Sequence, residues 1–220
     1  DAIGTQTKIA TQIIKQGADY LLPVKENQAN LLEDIALFFE LAEKDGFAKV
    51  GHTFQRTVNN NHGRMEIRAK LPSGTGIWPA IWMLGSNIGD VGWPACGEID
   101  IMENVGYNPD RIHANVHTKK YNHSIGTGRG SSIDIDKPYE DFHVYALEWD
   151  EKELRFFVDD QFYFSCKDEG TGNDAWPFDK PQYLILNLAI GGTWGGQQGI
   201  ADDLLPQKYY IDYVRVYKQK

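Results

Sequence analysis

Three carboxylates crowd one short run, Gly97-Glu98-Ile99-Asp100-Ile101-Met102-Glu103. Polar and aliphatic residues alternate there at period two, the mark of a β-strand with one wet face and one core face. Glu98 and Asp100 share the wet face, and Ile99 and Ile101 take the core face. Strict alternation would send Glu103 into the core, where an unpaired carboxylate is costly. One extra residue, a β-bulge near Met102, returns Glu103 to the wet face, and bulges often re-aim side chains at active sites.

Paired carboxyls of this kind suit acid–base and nucleophilic chemistry on a glycosidic bond. With the bulge, Glu98 and Glu103 are about four strand rises apart, or about 13 Å along the backbone. Side chains leaning together close that to about 5 Å, the separation expected of a retaining glycosidase. In that reading Glu98 is the nucleophile and Glu103 the general acid/base. Asp100 between them holds a proton or hydrogen-bonds the nucleophile, splitting the pKa values of the pair. The plain alternative is a solvated acidic strand.

Other elements must position these groups. Arg64 to Leu71 alternates Met65, Ile67, Ala69 and Leu71 against Glu66, Arg68 and Lys70, a strand with one buried face. Arg111 to His117 places His113, Asn115 and His117 on one face, a polar row fit for a cleft floor. Asp141 to Asp150, Leu154 to Val158 and Gln161 to Cys166 read as a meander, turning at Asp159-Asp160. Gln182 to Ile190 and Tyr209 to Tyr217 are further strands. Lys119 to Tyr139, rich in Gly, Ser and Asn, reads as a long loop. Trp78 and Trp82 are a core pair or sugar-stacking rings, and Trp93 directly precedes the acidic strand. Gly191-Gly192 and Gly195-Gly196 mark a loop rather than a phosphate cradle, since no helix with Lys-Ser/Thr follows.

Gly63-Arg64-Met65-Glu66-Ile67-Arg68, Gly76-Ile77-Trp78-Pro79-Ala80-Ile81-Trp82-Met83 and Trp93-Pro94-Ala95-Cys96 lead into the acidic strand. Glu148-Trp149, Trp176-Pro177-Phe178-Asp179, Leu186-Asn187-Leu188-Ala189-Ile190-Gly191-Gly192 and Ile211-Asp212-Tyr213-Val214-Arg215-Val216-Tyr217 follow in order. Together they resemble glycoside hydrolase family 16 over about residues 62–220, closest to its laminarinases, the endo-β-1,3-glucanases. The resemblance implies a jelly-roll β-sandwich, a β-1,3-glucan substrate, secretion, and Glu98, Asp100 and Glu103 as the catalytic set. It places Trp93, His117, Arg68, Trp78, Trp82, Asn187 and Trp194 at the substrate. It requires no cofactor, and matches Asp212 to a residue that helps bind a structural calcium in many members. The extra residue between Glu98 and Glu103 argues against the lichenase type. Other family specificities, for mixed-linkage glucan or galactan, are the alternatives, as is a chain that binds glucan without turnover.

The first 61 residues read differently. Thr5 to Gln16 and Asn30 to Lys44 are helical candidates flanking a short apolar run at Asp19 to Val24. Asp1-Ala2-Ile3-Gly4-Thr5-Gln6, Lys25-Glu26-Asn27-Gln28 and Leu32-Glu33-Asp34 resemble a transposase of the ISAs family with a DDE nuclease core, over about residues 1–68. Asp1 and Glu66 would match two of its acids; the third is missing, so a helical appendage without chemistry is expected. The expected whole is a mainly β chain, a partial jelly roll over residues 62–220 behind a helical α/β segment over residues 1–61, chimeric in origin. The strands that such a sandwich carries before Gly63 are absent, and a homodimer pairing along the open edges is expected.

The net charge of −9 over 220 residues argues against electrostatic capture of nucleic acid or an anionic membrane. No apolar run is long enough to span a bilayer, and no signal peptide is visible. Cys96 and Cys166 make no disulfide framework; buried thiols and a single bridge both remain open.

Overall fold

Alternating apolar residues along ten segments leave each strand with one face to bury, and two sheets stacked on those faces satisfy all of them. The computed structural model describes residues 63–218. The expected helical segment and the transposase-like stretch therefore lie outside the described residues, except for 63–68. The strands are β1 (Gly63–Lys70), β2 (Ile77–Gly85), β3 (Glu98–Val105), β4 (Asn108–His117), β5 (Arg129–Asp134), β6 (His143–Trp149), β7 (Glu153–Val158), β8 (Gln161–Lys167), β9 (Gln182–Ile190) and β10 (Tyr210–Lys218). A one-turn helix, α1 (Ile88–Val91), lies between β2 and β3.

All strand pairings are antiparallel. One sheet runs β10-β1-β6-β7-β8 and the other β5-β4-β3-β2-β9. The core between them takes Met65, Ile67, Tyr145, Leu147, Leu154 and Phe156 from the first sheet. Ile81, Met83, Ile99, Ile101, Met102, Ile112 and Val116 come from the second. Each fully buried side chain of this size contributes about 1.5–3 kcal/mol, so the carboxylate strand is pinned by its own Ile99, Ile101 and Met102. Cys96 and Cys166 are free, buried thiols.

The hairpin β7–β8 turns at Asp159 and Asp160, both with positive φ (48° and 63°), the geometry of a type I′ turn. Asp159 tolerates it because its carboxylate is used locally: Oδ1 accepts from the Val144 N–H at 2.8 Å, and Oδ2 lies 2.6 Å from His143 Nδ1.

Two sequence expectations change here. The Lys119–Tyr139 stretch is not simply a loop: it contains β5, preceded by a 3-10 turn at His123–Ile125. The β5 run, Arg-Gly-Ser-Ser-Ile-Asp, has little strand propensity of its own. It forms because β4 offers an unpaired edge, and Ile133 packs against the core. Arg68, expected at the cleft, belongs to β1 in the first sheet and points away from the core. There its Nη1 meets Asp212 Oδ2 at 2.6 Å and its guanidinium lies over the Phe142 ring. The alternation of β1 specifies the face of Arg68 but not the sheet that carries it. Asp212 is therefore matched by a guanidinium, whereas calcium needs six to eight oxygen ligands. Among the described residues, no cluster of metal-ligating side chains includes Asp212.

Candidate active site

The second sheet's face away from the core collects the polar residues of four strands. The register of β2 on β3 runs Leu84↔Glu98, Met83↔Ile99, Trp82↔Asp100, then Ile81↔Met102 and Ala80↔Glu103, leaving Ile101 as the extra residue of a bulge. Ile101 and Met102 are consecutive, yet both are wholly buried. The bulge thus brings Glu103 back beside Glu98 and Asp100. On the other side, β4 sets His117 opposite Glu98, Asn115 opposite Asp100 and His113 opposite Glu103.

Each glutamate is held by an indole. Trp93 Nε1 donates to Glu98 Oε2 at 2.8 Å, and Trp78 Nε1 donates to Glu103 Oε1 at 3.0 Å. Asn115 Nδ2 donates to the second oxygen, Glu103 Oε2, at 2.9 Å. His117 Nε2 lies 3.3 Å from Asp100 Oδ2 and 3.7 Å from Glu98 Oε1. Trp82 Nε1 donates to Asn187 Oδ1 at 2.7 Å, joining β2 to β9. Aromatic rings flank both ends. Trp93 and His123 are 5.3 Å apart near Glu98, while Trp194 sits edge-on to Trp78 at 5.4 Å and to His113 at 4.9 Å near Glu103.

The face therefore assembles Glu98, Asp100, Glu103, Trp93, His117, Trp78, Trp82, Asn187 and Trp194, and leaves out Arg68 and Asp212. Asn115, read from sequence only as part of the polar β4 row, and His123, not read from sequence, join it. The polar alternation of β4 pointed toward Asn115. His123 sits in the 3-10 turn, and no local pattern announces its approach to Trp93.

Among the described residues no lysine or arginine is a hydrogen-bond partner of the three carboxyls, and burial dominates their titration. Burial pushes Glu98 up to about 7, opposed by the Trp93 N–H and reinforced by the charge of Glu103. Asp100, completely enclosed, is driven well above the usual carboxyl range by burial first, then by Glu103 and Glu98. Glu103 is also raised by burial, against the Asn115 and Trp78 hydrogen bonds. His117 is lowered to about 4 by burial and by His123, so it is neutral at ordinary pH. The result is a cluster that retains protons, with Asp100 donating toward Glu98, and two glutamates whose surroundings differ.

Gly130 of β5 makes the Asn115 contact sterically allowed. A Cβ built there would stand 2.1 Å from Asn115 Oδ1 and 2.5 Å from the Ala114 carbonyl oxygen. Gly130→Ala is expected to push the Asn115 amide off Glu103. Loss of that hydrogen bond, which holds the Glu103 pKa down against burial, raises it further. Carboxyl-detected NMR titration of parent and variant measures this, and an unchanged Glu103 titration would refute it.

Comparison with known proteins agrees with this geometry. The family model described as Glycosyl hydrolases family 16 matches residues 17–215. A Beta-glucanase of Rhodothermus marinus is 54% identical over 164 residues, covering 71% of this chain and 57% of the relative. The Glucan endo-1,3-beta-glucosidase A1 of Niallia circulans is 37% identical over 171 residues, covering 72% of this chain and 24% of the relative. The X-ray structure of the laminarinase from Rhodothermus marinus superposes with a TM-score of 0.69 at 53% identity, covering 72% of this chain and 66% of that one. The chain thus spans somewhat over half the length of the first of these curated relatives. With the sandwich, the bulged carboxylate strand and the family match all in agreement, this chain belongs to glycosyl hydrolase family 16.

Proposed function

We propose that this chain is a retaining endo-hydrolase of β-1,3-glucan, acting on laminarin-type polysaccharide. The observation that carries the reading is the convergence of three carboxyls, each raised by burial, on one aromatic-walled sheet face, each glutamate fixed by an indole N–H. Relatives named as a laminarinase and as a glucan endo-1,3-beta-glucosidase favour this substrate over mixed-linkage glucan or galactan.

In the proposed mechanism Glu98 attacks the anomeric carbon, while Glu103 protonates the departing glycosidic oxygen. Asp100 keeps its proton and donates it toward Glu98, stabilising the carboxylate that attacks and, later, the one that leaves. The glycosyl ester on Glu98 is then hydrolysed by water that Glu103 deprotonates, restoring both groups. Trp78 and Asn115 hold Glu103 through both steps, and neutral His117 adds a hydrogen-bonding group beside Asp100 without a charge. Trp93, Trp78, Trp82 and Trp194 offer rings for stacking on sugar faces, and Asn187 an amide for hydroxyls.

Hydrolysis of a polymer too large to enter cells implies that the chain acts outside them. A domain boundary near residue 62, the chimeric reading of residues 1–68, and a second copy pairing along β9 or β10 extend the same proposal to organisation. β9 and β10 are outer strands among the described residues, with Leu184, Leu186, Ile211 and Val214 half-buried. Proton NMR of laminarin digestion tests the function. Early release of β-anomeric reducing ends is expected; early α-anomer would refute retention, and no release would leave a glucan-binding chain without turnover.

A further inference from the structure

We propose that Glu98, Asp100 and His117 form a binding site for a borderline transition-metal cation, Zn2+ being the probe of choice, and that metal bound there blocks the glucan site reversibly. The inhibitory half rests on the glucanase reading; the binding half does not.

The argument is geometric. One ligand atom from each residue lies within 4.8 Å of the others. His117 Nε2 is 3.3 Å from Asp100 Oδ2 and 3.7 Å from Glu98 Oε1. Two ligands of a tetrahedral zinc with bonds of 2.0–2.1 Å are about 3.3 Å apart, a spacing that both His117 distances approach. A second observation points the same way. Asp100 Oδ2 is buried and makes no hydrogen bond, on a side chain only 4% exposed. A carboxyl oxygen left without a hydrogen bond in so enclosed a place is costly, and a cation gives it a partner. The other oxygen of Glu98 is already held by Trp93 Nε1 at 2.8 Å, the outer-shell support that orients a metal-bound carboxylate.

The donor set selects the ion. One imidazole nitrogen and two carboxylate oxygens, with an open fourth position toward the cleft, suit zinc or copper(II). Magnesium demands octahedral oxygen coordination and calcium six to eight oxygens, neither of which three side chains supply. A metal on Glu98 removes the lone pair that would attack the sugar, which makes inhibition competitive with glucan.

Calorimetric titration of ZnCl2 into the metal-free protein tests the site, alongside His117→Ala and the near-isosteric Asp100→Asn, with circular dichroism showing that each variant is folded. Altering an outer-shell partner of a metal costs 10–100-fold in affinity, so loss of a ligand is expected to cost at least about 100-fold in both variants. MgCl2 at the same concentration should give no heat at this site. Zinc isotherms unchanged in both folded variants, or no zinc binding by the parent, would overturn the proposal. Laminarin hydrolysis by parent protein, measured with zinc and again after chelator, reads the inhibitory half. Activity unaffected by saturating zinc would overturn that half even where binding is confirmed. A parent that binds zinc but never hydrolyses laminarin would sink the glucanase reading and leave the metal site standing.

Discussion

Glu98→Gln is expected to lose laminarin hydrolysis by at least about a thousandfold, and Glu103→Gln by about 10²–10⁴-fold, but an activated substrate should tell the two apart. An amide at position 98 cannot form the glycosyl ester, whatever the leaving group. It also sets an NH2 group against either the Trp93 N–H or the neighbourhood of His117 Nε2, so the hydrogen bonds that fit the carboxylate are disturbed. Glu103 instead supplies the proton that a poor alkoxide leaving group needs. An aryl β-glucan oligosaccharide, whose phenolate departs unaided, bypasses that need in the first step. The aryl substrate should therefore give a burst of phenol with Glu103→Gln and none with Glu98→Gln. The opposite pattern, a burst only with Glu98→Gln, would exchange the two roles. Equal, undiminished laminarin activity in both variants would remove the reaction from this strand altogether.

The same burial predicts an unusual pH profile of stability. Glu98 is pushed from its ordinary 4.5 up to about 7 in the fold, so protonation favours folding. Its stabilising contribution is fully present below about pH 4.5 and is lost as pH rises through 7. A shift of that size on a largely buried group is worth on the order of 3 kcal/mol. Asp100 and Glu103, also raised, act in the same direction. His117 opposes them: lowered to about 4, it favours the neutral fold, and its contribution is present above 6.5 and lost as pH falls through 4. Between about pH 4.5 and 6.5 His117 offsets only part of the loss from the three carboxyls. Glu169, lowered to about 2 by Tyr121 and Arg129, loses its contribution only at still lower pH. Denaturant melts of parent protein should therefore decline gently from pH 5 to 6.5 and more steeply above 6.5. His117→Asn should expose the carboxyl effect, with stability falling steadily from pH 4.5 to 7, and Glu98→Gln should flatten much of the decline above 6.5. Stability that rises from pH 6.5 to 8 in the parent would contradict the burial of these carboxyls.

The chain's local pattern already contains the chemistry of the site. Glu98, Asp100 and Glu103 are spaced so that only a bulge keeps all three out of the core, because Ile101 and Met102 both demand burial and a carboxylate cannot follow them inward. The period-two row His113, Asn115, His117 is equally local, and so is the Asp159-Asp160 turn, where short acidic side chains tolerate positive φ. Alternation tells which residues share a face, however, and not which sheet a strand joins or what lies across from it. Arg68 shows this most clearly. Its strand reads correctly as one-face-buried, yet pairing with β10 and β6 puts it in the first sheet, opposite Asp212 and far in topology from the carboxylates. β5 shows it again, since a Gly- and Ser-rich run becomes a strand only where the edge of β4 supplies its hydrogen bonds. The indole donors to Glu98 and Glu103, the Asn115 contact that Gly130 makes room for, and the approach of His123 depend on register between distant segments. Local alternation names the carboxylates and the face they share. The tertiary structure decided their partners and their protonation, because burial and hydrogen bonding are properties of neighbours brought together from across the chain.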